Sequence, residues 1–100
     1  MSRLPIFKPR ELIRLLMNIE LFSQVALARD IPDEGLRCGD VATVVEKLPG
    51  TRASGGEEGY ILEVFNAIGE TITVVTVPVS AVEPLRASEV LSVRPFQQTK

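Results

Sequence analysis

The sequence contains no histidine and no tryptophan, and its one cysteine is Cys38. Without histidine the chain lacks the most common general base and the most common nitrogen ligand of metal ions. A single cysteine cannot form a disulfide within the chain, which favours a reducing compartment. These absences predict a protein that is not an enzyme and that carries no cofactor and no metal.

Aromatic residues are scarce as well, since 5% of the chain is Phe, Trp or Tyr. A base-stacking platform for nucleic acids relies on several aromatic side chains on one face. The net charge is −2, and it divides into +3 over residues 1–19 and −5 over residues 20–100. An acidic surface repels the phosphates whose neutralisation supplies most nucleic-acid affinity. The sequence therefore disfavours nucleic acid as the partner.

Long hydrophobic runs are also missing. No stretch is apolar over the length that a membrane-spanning helix needs. The apolar residues near the start are interrupted by Lys8, Arg10 and Glu11, which makes this segment a poor signal peptide. We therefore expect a cytoplasmic location and no membrane partner.

The first feature that is present is an amphipathic segment, PRELIRLLMNIELF, at residues 9–22. Pro9 suits the first position of a helix, and apolar side chains recur at helical spacing behind it. The apolar stripe of such a helix must be covered by the chain's own core, by a second copy or by a partner. The candidate helix interface consists of Leu12, Ile13, Leu16 and Ile19.

The rest of the chain alternates short β-prone runs with turns rich in Gly and Pro, which predicts strands. The predicted strands are 23–28, 41–48, 60–66, 71–77 and 89–94, with a helical turn at 80–85. Strands this short protect their edges by curling and closing. We expect a mainly β fold: a small five-stranded barrel of the Src-homology-3-like, KOW-like kind, with an N-terminal α-helix. The predicted core is Val25, Leu27, Val44, Leu62, Val64, Ile72, Val74 and Val82.

These elements suggest three parts of the chain. Residues 1–22 form the extension and helix, residues 23–95 the barrel and residues 96–100 a flexible tail.

A catalytic alternative would use Glu46 and Glu63, which lie on neighbouring predicted strands. A barrel this small has a filled interior rather than a cleft, so both carboxylates are expected to be solvated outward positions.

The strings VALARDIPDEGLRCGDVATVVEKL, YILEVFN and GETITVVTVPVSAVEPL follow one another in order over about residues 20–86. In that order they resemble a family of short bacterial proteins of unknown function. That family looks like a relative of the KOW-type small barrels. The resemblance implies a fold and no particular activity.

A second, shorter string, RLPIFKPRELIRLL at residues 3–16, resembles the opening helix of HicA-type mRNA-interferase toxins. Those toxins use a histidine in a following β-sheet, and this chain has none, so the ribonuclease activity does not carry over. Either the first sixteen residues precede an ancestral start at Met17, or the similarity is a coincidence. The sequence leaves both possibilities open, along with whether Met1 or Met17 is the natural start.

The acidic loop at residues 29–40 lies between the first two predicted strands. Its acids lack the order of an EF-hand calcium loop. Asp30 and Asp40 are expected to accept bonds from nearby backbone amides, as turn residues do. In barrels of this type the same loop flanks the groove for a partner, an analogy of fold alone. The candidate partner-binding residues are Asp30, Asp33, Glu34, Arg37 and Asp40.

The function we expect is a non-catalytic protein–protein interaction module. An accessory, antitoxin or immunity-type role is a specific version, because an acidic barrel could mask a basic nuclease surface. The expected partner is another protein, with a neighbouring gene product as one candidate, and a homodimer through the helix is the other option. The alternative function is an RNA- or ribosome-binding KOW-like module. That function needs a clustered basic face, whereas the arginines are scattered at Arg29, Arg37, Arg52, Arg86 and Arg94.

Overall fold

The computed structural model describes residues 19–97, and this part of the chain is mainly β-structure. Its strands are β1 (Gln24–Leu27), β2 (Val41–Leu48), β3 (Gly59–Phe65), β4 (Thr71–Pro78) and β5 (Val82–Pro84). Two short 3₁₀ turns, Pro32–Glu34 and Val79–Ala81, lie in the β1–β2 loop and between β4 and β5. The three longest strands fall where the sequence predicts them, because each is a run rich in β-branched or aromatic residues.

The five strands form one antiparallel sheet in the order β4-β3-β2-β1-β5. β2 is the central strand and is shared by two halves of the sheet. Its first residues pair with β1, with Ala42 opposite Val25, and its remainder pairs with β3, with Val44 opposite Leu62. The β2–β3 register shifts between Val44 and Glu46. A bulge of this kind bends a strand and strengthens its twist, so β2 can serve both halves.

The sheet is not closed, which corrects the prediction of a closed five-stranded barrel. Among the described residues β4 and β5 are the two outer strands and do not pair with each other. β5 has three residues and ends at Pro84, which has no amide hydrogen to donate to a neighbouring strand. The register shift between Val64 and Phe65 also bends the start of β4. Curling therefore stops before the outer strands meet.

The predicted last strand at 89–94 is also wrong, since β5 lies earlier at Val82–Pro84 and pairs with β1. A turn follows β5, in which the Glu89 amide donates to the Arg86 carbonyl at 3.0 Å. The Glu89 carboxylate in turn accepts from the Arg86 amide at 2.7 Å. This turn redirects the chain, and residues 91–97 have no regular secondary structure.

Most of the predicted helix at 9–22 lies outside the described residues. Its described end, residues 19–22, is a turn and not a helix. Phe22 has a left-handed backbone with φ 66°, and its amide donates to the Val44 carbonyl at 2.5 Å. Within residues 19–97, helical structure is limited to the two 3₁₀ turns, so the N-terminal helix is not supported there. No helix in this part of the chain has the length and hydropathy to cross a bilayer.

The buried apolar side chains form one core cluster, to which β1 to β5 and the β1–β2 loop all contribute. Its largest fully buried side chains are Val25, Leu27, Leu36, Val44, Leu62 and Val82. Val64 is also buried as predicted, and Ile72 packs against the core partly buried. Val74 was predicted to be in the core and is 55% exposed, while Val75 and Val77 are buried instead. The bulge at the start of β4 shifts the alternation by one residue, so the even-numbered side chains that follow Ile72 point outward.

Candidate partner-binding surface

The loop at residues 29–40 is fixed to the body of the protein. Ile31 and Leu36 form an antiparallel bridge, with the Ile31 amide 2.9 Å from the Leu36 carbonyl and the reverse bond at 3.1 Å. The 3₁₀ turn Pro32–Glu34 lies between them, and Gly35 closes it in a left-handed conformation with φ 70°. The Leu36 side chain is buried in the core. The loop is therefore a folded platform with an apolar anchor.

Two of the predicted loop carboxylates organise its backbone, as the sequence suggested. Asp30 Oδ1 accepts from the Cys38 amide at 2.8 Å. Asp40 Oδ2 accepts from the Arg37 amide at 2.7 Å. Side chains of this kind commonly bond nearby amides in turns. Both bonds fix the second half of the loop, at the amides of residues 37 and 38, so Asp30 and Asp40 have a structural role.

Asp40 also binds Arg94 from the far end of the chain. Arg94 Nε donates to Asp40 Oδ1 at 3.0 Å, and Arg94 Nη2 donates to Asp40 Oδ2 at 2.5 Å. Nη2 also donates to the Gly35 carbonyl at 3.0 Å. This is the bidentate arginine–carboxylate geometry, which is stronger and more specific than a single ion pair.

The electrostatics of this pair follow from its contacts. Partial burial favours the neutral form of the Asp40 carboxyl, but the Arg94 and Arg37 hydrogen bonds and charges outweigh it and lower the pKa of Asp40. The same hydrogen bond, opposed in part by burial, raises the pKa of Arg94. Both groups are therefore charged at neutral pH, and the pair persists there.

The residues after Arg94 continue the contact with the loop. Phe96 is partly buried and packs against the core. At Gly35, an added Cβ would lie 2.8 Å from the Gln97 carbonyl oxygen and 3.4 Å from Phe96 Cε1, so the two backbones meet closely. Beside this contact is an open cleft of about 390 Å³. It is lined by the loop residues Asp30, Pro32, Gly35, Leu36 and Arg37, and by Arg94, Pro95 and Gln97.

The remaining loop candidates are oriented towards solvent. Asp33 and Glu34 are exposed, and Glu34 Oε2 accepts a long hydrogen bond of 3.3 Å from Thr73 Oγ1. Arg37 is exposed and lines the cleft. Of the five predicted residues, Asp30 and Arg37 thus line the cleft and Asp40 is paired with Arg94. Asp33 and Glu34 are exposed in the 3₁₀ turn and are not among the residues that line the cleft.

The two carboxylates considered for catalysis are not directly opposite each other in the sheet, since Glu46 pairs with Ile61 and Glu63 pairs with Thr43. Cys38, the one cysteine of the chain, is exposed. Glu46 is exposed, and Glu63 accepts a hydrogen bond from the Thr71 hydroxyl. Within residues 19–97 no three Cys, Asp or Glu side chains converge as metal ligands would.

Three of the helix-interface candidates, Leu12, Ile13 and Leu16, lie outside the described residues. Ile19 is described, is 8% exposed and belongs to the core cluster. It therefore contributes to the chain's own packing.

Sequence reasoning missed the residues that complete the surface. Arg94 was assigned to the end of a predicted strand, Pro95 to the end of the predicted barrel and Phe96 to the flexible tail, and Gly35 was not among the predicted site residues. Arg94 is 54 residues from Asp40, and no local pattern links the two. A weak signal was the Arg-Pro-Phe triplet itself, which follows an uncharged stretch at residues 90–93.

The described residues thus form a small, mainly β domain: one bent antiparallel sheet with a structured acidic loop on which the C-terminal segment rests. The chain belongs to the family described as Domain of unknown function (DUF4926), which matches residues 21–84. This range contains all five strands and ends at the last residue of β5. Neither a curated protein nor a solved structure matches the chain.

Proposed function

We propose that this protein is a non-catalytic protein-interaction module whose partner binds at the loop of residues 29–40. The observation that carries the proposal is the contact between this loop and residues 94–97. The loop binds a peptide segment of its own chain through a bidentate side-chain pair, a backbone carbonyl and a close backbone approach. A surface that can hold one irregular segment has the donors, acceptors and shape to hold another.

The charge of the surface favours a basic partner. Asp33 and Glu34 are exposed in the 3₁₀ turn of the loop, and residues 20–100 carry a net charge of −5. Complementary charge raises the rate of association and selects against wrong partners. A basic protein, such as the nuclease of a toxin–antitoxin or immunity pair, would meet this requirement.

The order of the strands supports a Src-homology-3-like, KOW-like architecture, which we propose as a half-open form of that barrel. A long loop joins β1 to β2, a 3₁₀ turn joins β4 to β5, and β5 pairs with β1. In that architecture the first loop borders the partner groove. This analogy adds to the contacts above and does not replace them.

The contacts of the arginines count against RNA as the main partner. Arg94 is paired with Asp40, and Arg29 Nη2 donates to Ser80 Oγ at 2.7 Å. Two of the five scattered arginines are therefore already engaged. A phosphate-binding face needs several free cations close together.

The test compares the wild-type chain with two charge-reversed variants of equal net charge. Asp33→Lys/Glu34→Lys changes the exposed acids of the loop, while Glu46→Lys/Glu58→Lys changes exposed acids elsewhere. Full-length proteins are used to capture partners from an extract of the source organism, and each captured protein is purified and titrated by calorimetry. We expect the loop variant to bind at least about tenfold more weakly, a loss of roughly 1.4 kcal/mol, and the control variant to bind like the wild type.

Two results would contradict the proposal. One is a partner whose affinity is lowered equally by both variants, because the loop would then have no special role. The other is tight, salt-sensitive binding of RNA in a filter assay, since phosphate contacts weaken as salt rises.

A further inference from the structure

We propose that the ligand of this surface is a partner segment with the order arginine, proline, aromatic residue, and that residues 94–96 occupy its site until the partner arrives. This inference rests on the proposed function and specifies the chemistry of the partner. It starts from the three residues that the loop already holds, Arg94, Pro95 and Phe96.

The first position of the ligand requires arginine. The Arg94 guanidinium uses Nε and Nη2 for the two Asp40 oxygens and shares Nη2 with the Gly35 carbonyl. Only a planar fork of donors can make these three bonds together. A lysine ammonium is a compact point charge and cannot match both carboxylate oxygens in this way.

The next two positions require a stiff residue followed by an aromatic ring. Proline restricts its own backbone and favours an extended conformation in the residue before it, which limits the entropy lost on binding. Phe96 then packs partly buried against the core, beside the bare Cα of Gly35. A side chain at position 35 would meet the Gln97 carbonyl oxygen at 2.8 Å, so the site depends on a glycine there.

The resident segment is attached in a way that allows it to leave. It lies outside the family match, which ends at residue 84. The stretch that connects it to β5 makes few contacts, since Val90 and Val93 are 91% and 95% exposed. Open space remains beside it, in the 390 Å³ cleft that Pro32 and Arg37 help to line. A partner segment could reach this space and make contacts that the chain's own segment does not make.

A tethered segment competes at a high effective concentration, so it lowers the apparent affinity of any ligand for the same site. Releasing residues 94–96 from the loop should therefore increase the affinity of the site for an added peptide. Arg94→Ala in the full-length chain removes the bidentate pair and leaves Asp40 and Gly35 in place. The probe is a fluorescein-labelled synthetic peptide of residues 89–97, and its binding is followed by anisotropy.

We expect the peptide to bind the Arg94→Ala chain at least about tenfold more tightly than it binds the wild-type chain. A peptide with Arg94 replaced by lysine should bind the same variant at least about tenfold more weakly. This control alters only the ligand, so it remains informative if a protein variant folds poorly. On the protein side, adding Asp40→Asn should abolish binding, whereas adding Asp33→Asn should not, because Asp33 is exposed and is not among the residues that line the cleft.

No peptide binding by a folded Arg94→Ala chain, or equal binding of the arginine and lysine peptides, would overturn this inference. The proposed function would survive either result if the Asp33→Lys/Glu34→Lys variant still lost its partner. Sedimentation of the wild-type chain provides a further test. A concentration-dependent dimer that Arg94→Ala abolishes would assign the site to the tail of a second copy, and would overturn a partner of another kind.

Discussion

At the scale of single residues, Gly35 combines a turn with a contact surface. Its φ of 70° lies in the left-handed region, and its missing side chain lets Gln97 and Phe96 approach. An alanine here would have the backbone cost of that region, roughly 1–2 kcal/mol, and would also push residues 96–97 away. We expect Gly35→Ala to destabilise the chain by at least about 2 kcal/mol in urea unfolding.

Gly39 provides the matched control for this substitution. Its φ is 92°, and an added Cβ would meet nothing within 4 Å. Gly39→Ala should therefore show the backbone cost alone, about 1–2 kcal/mol. If both variants lowered the free energy of unfolding equally, and the NMR signals of residues 94–97 were unchanged in both, the close approach at Gly35 would contribute nothing to stability.

Asp40 gives the contact a defined dependence on pH. Its pKa is lowered in the folded chain from an ordinary value of 3.8. A lowered pKa means that the stabilisation is present above the ordinary value and is lost as the pH falls through the folded one. We expect the Arg94 Nε–H signal in NMR spectra to keep its bound position above pH 3.8 and to lose it below that value. Loss of the bound signal well above pH 3.8 would contradict the assignment.

At the scale of elements, the alternation of inward and outward side chains along β4 determines which of two adjacent valines is buried in the core. Val75 is 6% exposed and Val74 is 55% exposed. Val75→Ala removes two buried carbon atoms and should lower the free energy of unfolding by about 2 kcal/mol. Val74→Ala should change it by less than about 0.5 kcal/mol, because its side chain is largely in solvent. The reverse order would show that the β4 alternation described above is wrong.

The elements that could be predicted from sequence are those with a strong local pattern. β2, β3 and β4 are runs of seven or eight residues rich in β-branched or aromatic residues, and their bounds were predicted to within a residue or two. β5 has only three residues and contains Pro84, so its existence depends on pairing with β1 rather than on its own composition. The β4 alternation was missed because a bulge leaves no mark in the pattern of one strand.

In the candidate surface, too, the residues with contacts close in sequence could be predicted, whereas the pair that is distant in sequence could not. Asp30 and Asp40 bond amides within ten residues of themselves, so turn chemistry was enough to anticipate their role. The Arg94–Asp40 pair joins the first loop to the C-terminal segment, and only the folded chain brings these residues together. The prediction of a strand at 89–94 also hid Arg94, because it assigned that residue to a sheet.

At the scale of the whole molecule, the described part of the chain contains a family domain and a C-terminal segment that rests on it. The sheet and its loop lie within residues 21–84, and the segment that supplies Arg94 follows them. If the segment occupies the partner site, the strength of its attachment sets the affinity that a partner needs. Variants that loosen the segment should therefore strengthen partner binding while they weaken the domain itself.

The position of the segment can be measured with the cysteine that the chain already has. Cys38 is exposed, and it lines a small cavity together with Leu91 and Ser92. A nitroxide attached to Cys38 should broaden the NMR signals of residues 91–97 in the wild-type chain by paramagnetic relaxation. In Asp40→Asn the same signals should recover their intensity, because the segment loses its partner for Arg94. Sharp signals for residues 91–97 in the labelled wild-type chain would contradict the central claim that this loop binds a peptide segment.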